Sequence, residues 1–164
     1  MKLLKTLALA TALVASPLAL SSVQAANIVE TAQAAGTFQT LLAAATAAGL
    51  ADALATTDNI TVFAPTDEAF AALPAGTVDS LLLPANQAQL VAILQLHVVP
   101  SEIMSAAIPD GATEVDTLNP AAKLTVTKSG AGVTVAASNT ANVVTADVDA
   151  DNGVIHVIDA VLLP

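Results

Sequence analysis

The chain has 164 residues, 55% of them hydrophobic, with three aromatics (Phe38, Phe63 and Phe70) and no cysteine. Without Trp or Tyr it has no stacking platform for sugars or bases, and without Cys it has neither disulfides nor thiolate metal ligands. Fourteen carboxylates stand against four Lys and Arg, a balance that phosphate backbones and anionic membranes repel, which argues against nucleic-acid binding.

Residues 1–25 have the layout of a secretory signal peptide. Lys2 and Lys5 form a positive start, Leu7 to Ala15 an apolar stretch, Pro17 a break, and Val23-Gln24-Ala25 presents small residues at a cleavage site. The apolar stretch is shorter than the roughly 18 residues a membrane span needs. Export follows, to the periplasm or the medium, with no transmembrane segment after signal removal. The expected mature chain, residues 26–164, suits one domain. Only Lys123 and Lys128 remain there against the 14 carboxylates, a net charge of −12.

The first half of that domain is patterned as helix. Asn27 and Glu30 form a capping box and Gly36 ends the helix. Thr37 is the expected cap of the next one, whose face is Phe38, Leu41, Leu42 and Ala45, with Gly49 closing it. Ile60 to Ala64 is a strand with Ile60, Val62 and Ala64 on one face. Pro65 ends it and Thr66 caps a short helix carrying Asp67 and Glu68 in its first turn. Thr77 is expected to cap a further short segment, and Asn86 a helix running through Leu90, Ile93, Leu94 and His97. Ser101 to Ala107 reads as one or two helical turns. From Asp110-Gly111 the period changes to two, giving strands around Thr113–Thr117, Lys123–Thr127 and Val133–Val135. Two more, Ala141–Asp149 and Val154–Leu163, flank the turn Ala150-Asp151-Asn152-Gly153. Helices followed by an antiparallel sheet give an α+β fold.

No nucleophile–base constellation is present, and no Ser lies in a Gly-x-Ser-x-Gly elbow. His97 and His156 both sit in apolar runs, where an imidazole is expected to be buried and hydrogen-bonded. The competing reading is a small-molecule carrier or enzyme with an apolar cleft near His97 or His156. Asp159 interrupts the last apolar run. Either it is buried and accepts from backbone N–H groups or the Thr66 hydroxyl, or alternation turns it to water. Asp147, Asp149 and Asp151 imitate the start of a calcium loop. Asn152 stands where such a loop needs Gly, and Ile158 where it needs Glu, so no metal or other cofactor is expected.

Two segments resemble the paired signatures of fasciclin-like domains. The first is Thr61-Val62-Phe63-Ala64-Pro65-Thr66-Asp67-Glu68-Ala69-Phe70. The second is Asn152-Gly153-Val154-Ile155-His156-Val157-Ile158-Asp159 with Val161-Leu162-Leu163-Pro164, about 90 residues on. Between them, Leu96-His97-Val98-Val99-Pro100 is similar to the family's central segment, with Leu96 in place of its Tyr. The resemblance implies a wedge-like β-sandwich with an N-terminal helical cluster. It also implies a non-catalytic role in adhesion or extracytoplasmic ligand binding, toward an envelope protein or polysaccharide. Thr61, Phe63, Pro65, Thr66, Phe70, Asn152, Gly153, His156 and Asp159 would be structural. The family's Asp-Ile adhesive pair falls on Asp147-Val148, and its central adhesive segment on Leu96 and His97. The bacterial-style signal suggests an organism without integrins, so the surface carries over and the animal partner does not.

Overall fold

The computed structural model describes residues 26–130 and 132–164; the expected signal segment lies outside them. Helix α1 (Ile28–Ala35) opens with the capping box: Asn27 Oδ1 accepts from the Glu30 N–H at 3.0 Å and Glu30 accepts from the Asn27 N–H at 3.3 Å. Helix α2 (Gln39–Ala47) departs from expectation. Thr37 does not cap it; Phe38 occupies the cap position and has no side-chain acceptor to offer. Asp67 takes over from a distant point in the chain, accepting from the Gln39 and Thr40 amides at 3.3 and 2.8 Å. Thr37 contributes its carbonyl, which accepts from the Asp67 N–H at 2.9 Å.

Asp67 is itself the first residue of α4 (Asp67–Ala71), whose own cap is Thr66, accepting from the Ala69 N–H at 3.3 Å. One Thr-Asp pair therefore starts two helices. Partial burial pushes the Asp67 carboxyl up, but the hydrogen bonds from Thr40 and Gln39 outweigh it and hold the group below the usual carboxylate range. Asp67→Ala should cost about 1 kcal/mol in urea unfolding, the usual magnitude for a lost cap, whereas Thr37→Ala should leave the midpoint unchanged. Equal losses would remove the cross-chain cap.

Helices α3 (Ala51–Thr56), α5 (Thr77–Leu81) and α6 (Gln87–Leu96) complete the cluster. Thr77 is the first residue of α5 and not its cap, which is Gly76 at φ 86°. Asn86 holds the cap position of α6 but makes no capping bond; a 3₁₀ turn, Pro84–Asn86, leads straight into the helix and the Asn86 amide donates to Ser80 O at 2.8 Å. Of residues 101–107 only Ser105–Ala107 is helical, as a single 3₁₀ turn. No helix among the described residues is long and apolar enough to cross a membrane.

The strands are β1 (Ile60–Pro65), β2 (Val98–Val99), β3 (Gly111–Asp116), β4 (Lys123–Ser129), β5 (Gly132–Ala136), β6 (Thr140–Ala150) and β7 (Gly153–Ile158). Their order is β2-β1-β7-β6-β5-β4-β3. The sheet is mixed rather than antiparallel, because the first and last strands of the domain lie side by side and parallel, Phe63 opposite His156. The 11-residue β6 joins the two ends of the sandwich. Its start pairs with β5 and its remainder with β7, with register shifts on either side of Thr145. Such bulges bend and twist a strand, which lets one strand turn the corner between two sheets.

The sheet separates two cores. Ile60, Val62 and Ala64 of β1 and Ile155 of β7 join Phe38, Leu41, Phe70, Leu90 and Leu94 beneath the helices. Phe63 and Ile158 face the other way, onto Leu96, Leu124, Val126, Val135 and Leu162. All six residues of β1 are buried, as expected of a strand covered on both faces. The fold is thus α+β: a sandwich with a helical cluster on one side.

Candidate functional site

At the second register shift of β6, Asp147 adopts φ 56°, one of two described non-glycine residues with positive φ. Asp tolerates this left-handed region better than most side chains. The twist brings its carboxylate to the loop of residues 101–108. Oδ1 accepts from the Ser105 N–H at 2.7 Å and Oδ2 accepts from the Ser105 hydroxyl. These two bonds are the main reason the Asp147 carboxyl is held below the usual carboxylate range; the charge of Lys128 adds to the effect. Lys128 Nζ in turn donates to Ser105 O at 3.1 Å and Ile108 O at 3.3 Å.

The signature residues hold the same loop from below. Thr61 Oγ1 donates to Ser101 O and accepts from the Ile103 N–H, both at 2.7 Å. His156 is buried, with its ring stacked on Phe63 at 5.4 Å between centroids and 27° between planes. Its Nε2 lies 2.7 Å from Ile103 O, so that nitrogen carries the proton. Its Nδ1 accepts from the Asp147 N–H at 3.3 Å. Thr61, His156, Asp147 and Lys128 therefore converge on one loop, with His156 Nδ1 alone turned instead to the Asp147 amide of β6. Ser105 and Lys128 were not singled out from the sequence; a lone Ser and one of two lysines in an acidic domain carry no local pattern.

The larger side chains the loop shows to solvent are Glu102 and Met104, the latter 43% exposed. Between the loop and β3–β4 lies an open recess of about 220 Å³ lined by Glu102, Ile103, Ile108, Pro109, Val115 and Val126. Asp147 is exposed beside the loop, while Val148 is half-buried against the helical core. Leu96 and His97, expected as contact residues, are inside: 0% and 1% exposed. Leu96 ends α6 and packs on the Phe63 core, and His97 bridges Ile93 O and the Leu162 N–H at 2.7 and 3.0 Å. No partner reaches them without unfolding the helix end.

The apolar cavity beside His97 measures about 30 Å³, room for about one water rather than a ligand of the several-hundred-Å³ class. Asp159 lies past the end of β7 and is exposed. It accepts from Asn142 N at 2.8 Å and Asn142 Nδ2 at 2.9 Å, and not from Thr66, whose hydroxyl faces Ala69. Among the described residues no group of three or more His, Asp or Glu is placed to hold a metal ion.

The remaining signature pair works at the other end of β7. Asn152 is buried; Nδ2 donates to Leu54 O at 2.6 Å and Thr57 O at 2.9 Å, and Oδ1 accepts from the Ile28 N–H at 2.8 Å. One side chain thus ties the start of α1, the end of α3 and the entry to β1.

A helical cluster on a two-core sandwich, with two distant signatures zipped in parallel and turned to holding loops, is the architecture of the fasciclin type. A family model for the fasciclin domain matches residues 36–164, and the chain belongs to that family. It is 53% identical over 115 residues to protein sll1483 of Synechocystis sp., covering 70% of this chain and 61% of that one. It is 40% identical over 144 residues to the uncharacterized protein sll1735 of the same organism, covering 84% and 97%. Among solved structures, a FAS1 domain pair from the insect cell adhesion molecule Fasciclin I superposes with a TM-score of 0.58 at 23% identity, over 76% of this chain and 43% of that one, a likeness of fold. The chain thus spans about three-fifths of sll1483, less than half of the Fasciclin I pair and nearly all of sll1735.

Proposed function

We propose that the protein is a non-catalytic recognition or adhesion module acting outside the cytoplasm, delivered to the periplasm or medium by a signal peptide at residues 1–25 and working as a fasciclin domain over residues 26–164. The observation that carries this reading is the use made of the reactive-looking side chains. Both nitrogens of His97 and of His156, and both oxygens of Asp147, are spent inside the fold, and two of these side chains, His156 and Asp147, serve to hold a surface loop. The kinship with a cell adhesion molecule's fold supports it, at the level of family. The contact face is the 101–108 loop with Asp147 and the adjoining recess. Its acidic rim and apolar floor suit a protein or polysaccharide partner carrying cationic or apolar groups, and the net charge of −12 over residues 26–164 disfavours nucleic acid.

The test separates contact from support. Met104→Ala with Glu102→Gln should weaken retention on immobilised envelope material severalfold while leaving the urea midpoint unchanged, since both side chains are on the surface. Asp147→Ala should weaken retention too, but with a stability loss of about 1 kcal/mol and faster amide exchange at Ser105, because the loop loses its clamp. Full retention by the Met104/Glu102 variant would remove this face from the contact surface.

A further inference from the structure

We infer that Asn152 is a deamidation site that the native fold holds shut, so that opening of the α1–α3–β7 corner is recorded in the chain as a covalent change. Of the seven asparagines, Asn152 alone precedes a glycine. The reaction needs the backbone nitrogen of the following residue to attack the side-chain amide carbon, and glycine has no side chain to screen that nitrogen or restrict the approach. In the open chain the Gly153 N–Asn152 Cγ bond forms as the Cγ–Nδ2 bond breaks, and the Gly153 amide proton leaves with the departing ammonia. Water then opens the cyclic imide on either side, giving aspartate or isoaspartate.

The folded corner opposes each requirement. Asn152 is 6% exposed, and its side-chain amide is drawn into three hydrogen bonds with Ile28, Leu54 and Thr57. All three must break before the amide carbon can swing to Gly153 N. Gly153 is pinned as the first residue of β7, between Ile60 on β1 and Ala150 on β6. The products also fail to fit. Aspartate at 152 sets a carboxylate oxygen, in place of Nδ2, against the Leu54 and Thr57 carbonyls, acceptor facing acceptor in a buried site. Isoaspartate inserts an extra carbon into the main chain just where β7 must register with β1. Unfolding that outlasts the reaction would therefore become irreversible.

The experiment uses the wild-type protein held at mildly alkaline pH, with and without unfolding concentrations of urea. Peptide mass mapping follows the amide-to-acid change at Asn152, and circular dichroism after dilution follows refolding. Deamidation should be at least about tenfold slower in buffer than in urea, since only the small opened fraction reacts. The refoldable fraction should fall in step with the modified fraction. Asn152→Ala, which cannot react, should show no time-dependent loss of whatever refolding it retains. Equal rates with and without urea, or deamidated chains that recover the native spectrum, would overturn the proposal, and the wild-type rates decide this even if the alanine variant does not fold.

Discussion

Gly153→Ala is expected to destabilise the domain by about 3 kcal/mol or more, at the upper end of what overpacking a tight site costs. The requirement for glycine here is one of space. Gly153 is not among the residues with positive φ, so an alanine would meet no conformational penalty of its own. A Cβ at this point would lie 2.0 Å from Ile60 O, 2.9 Å from Ile60 C and 3.1 Å from Ile28 Cδ1. Two of those three atoms are backbone and cannot rotate away. Nor can β1 retreat. Ile60 pairs with Gly153 in the parallel ladder, its N–H donates to Asn152 O at 3.4 Å, and its side chain is 1% exposed in the helical core. Relief therefore requires separating β1 from β7 at the corner that Asn152 ties together. Gly132→Ala is the control: a Cβ there would meet only Ser129 O, at 3.9 Å, and the change should stay within about 0.5 kcal/mol. Urea midpoints that fall together, or a Gly153→Ala variant as stable as the parent, would refute this packing argument.

That both signatures form strands was legible because each carries its own local logic. An apolar run ended by Pro65, and one opened by Asn152-Gly153, both read as buried strands before any contact is known. The capping box at Asn27 and the Thr66 cap were legible for the same reason, since cap and amide lie within three residues. What escaped the sequence was support from across the chain. Asp67 caps a helix that precedes it, and nothing near Gln39 announces it. Asn152 read as a turn residue, whereas its three partners come from α1, α3 and the approach to β1. Val154 to Leu163 read as one strand, but Asp159 leaves the ladder to grip Asn142. At the candidate site, family resemblance and residue chemistry pointed in opposite directions for Leu96 and His97. The resemblance put them on a contact surface; the apolar company they keep indicated burial, and burial is what the fold shows. Asp147 was expected outside and is outside, but its tie to Ser105 could not be seen without the bulge that turns it.

His97 should make the domain lose roughly 3 kcal/mol of stability as pH falls from 6.5 to 4. Burial lowers the pKa of this ring to about 4 from an ordinary 6.5, against a hydrogen bond to Ile93 O that pulls the other way. The neutral ring fits its site because Nδ1–H donates to Ile93 O while Nε2 accepts from the Leu162 N–H. A second proton on Nε2 would face that amide with no acceptor. Between pH 6.5 and 4 the unfolded chain binds this proton and the folded chain does not, so stability falls with falling pH, and it is fully present above 6.5. Below 4 both states carry the proton and the slope from His97 ends. There the Asp67 and Asp147 carboxyls take over: their folded values lie below 3.8, so their contribution is present above 3.8 and fades as pH drops through those values. Urea unfolding across the range separates the two windows. His97→Gln should be less stable at neutral pH, because one of the two buried bonds goes unmade, yet its stability curve between pH 6.5 and 4 should be shallower by one proton. Parallel curves for variant and parent would mean that His97 titrates alike in both states, and its buried, neutral bridge between α6 and the chain end would have to be abandoned.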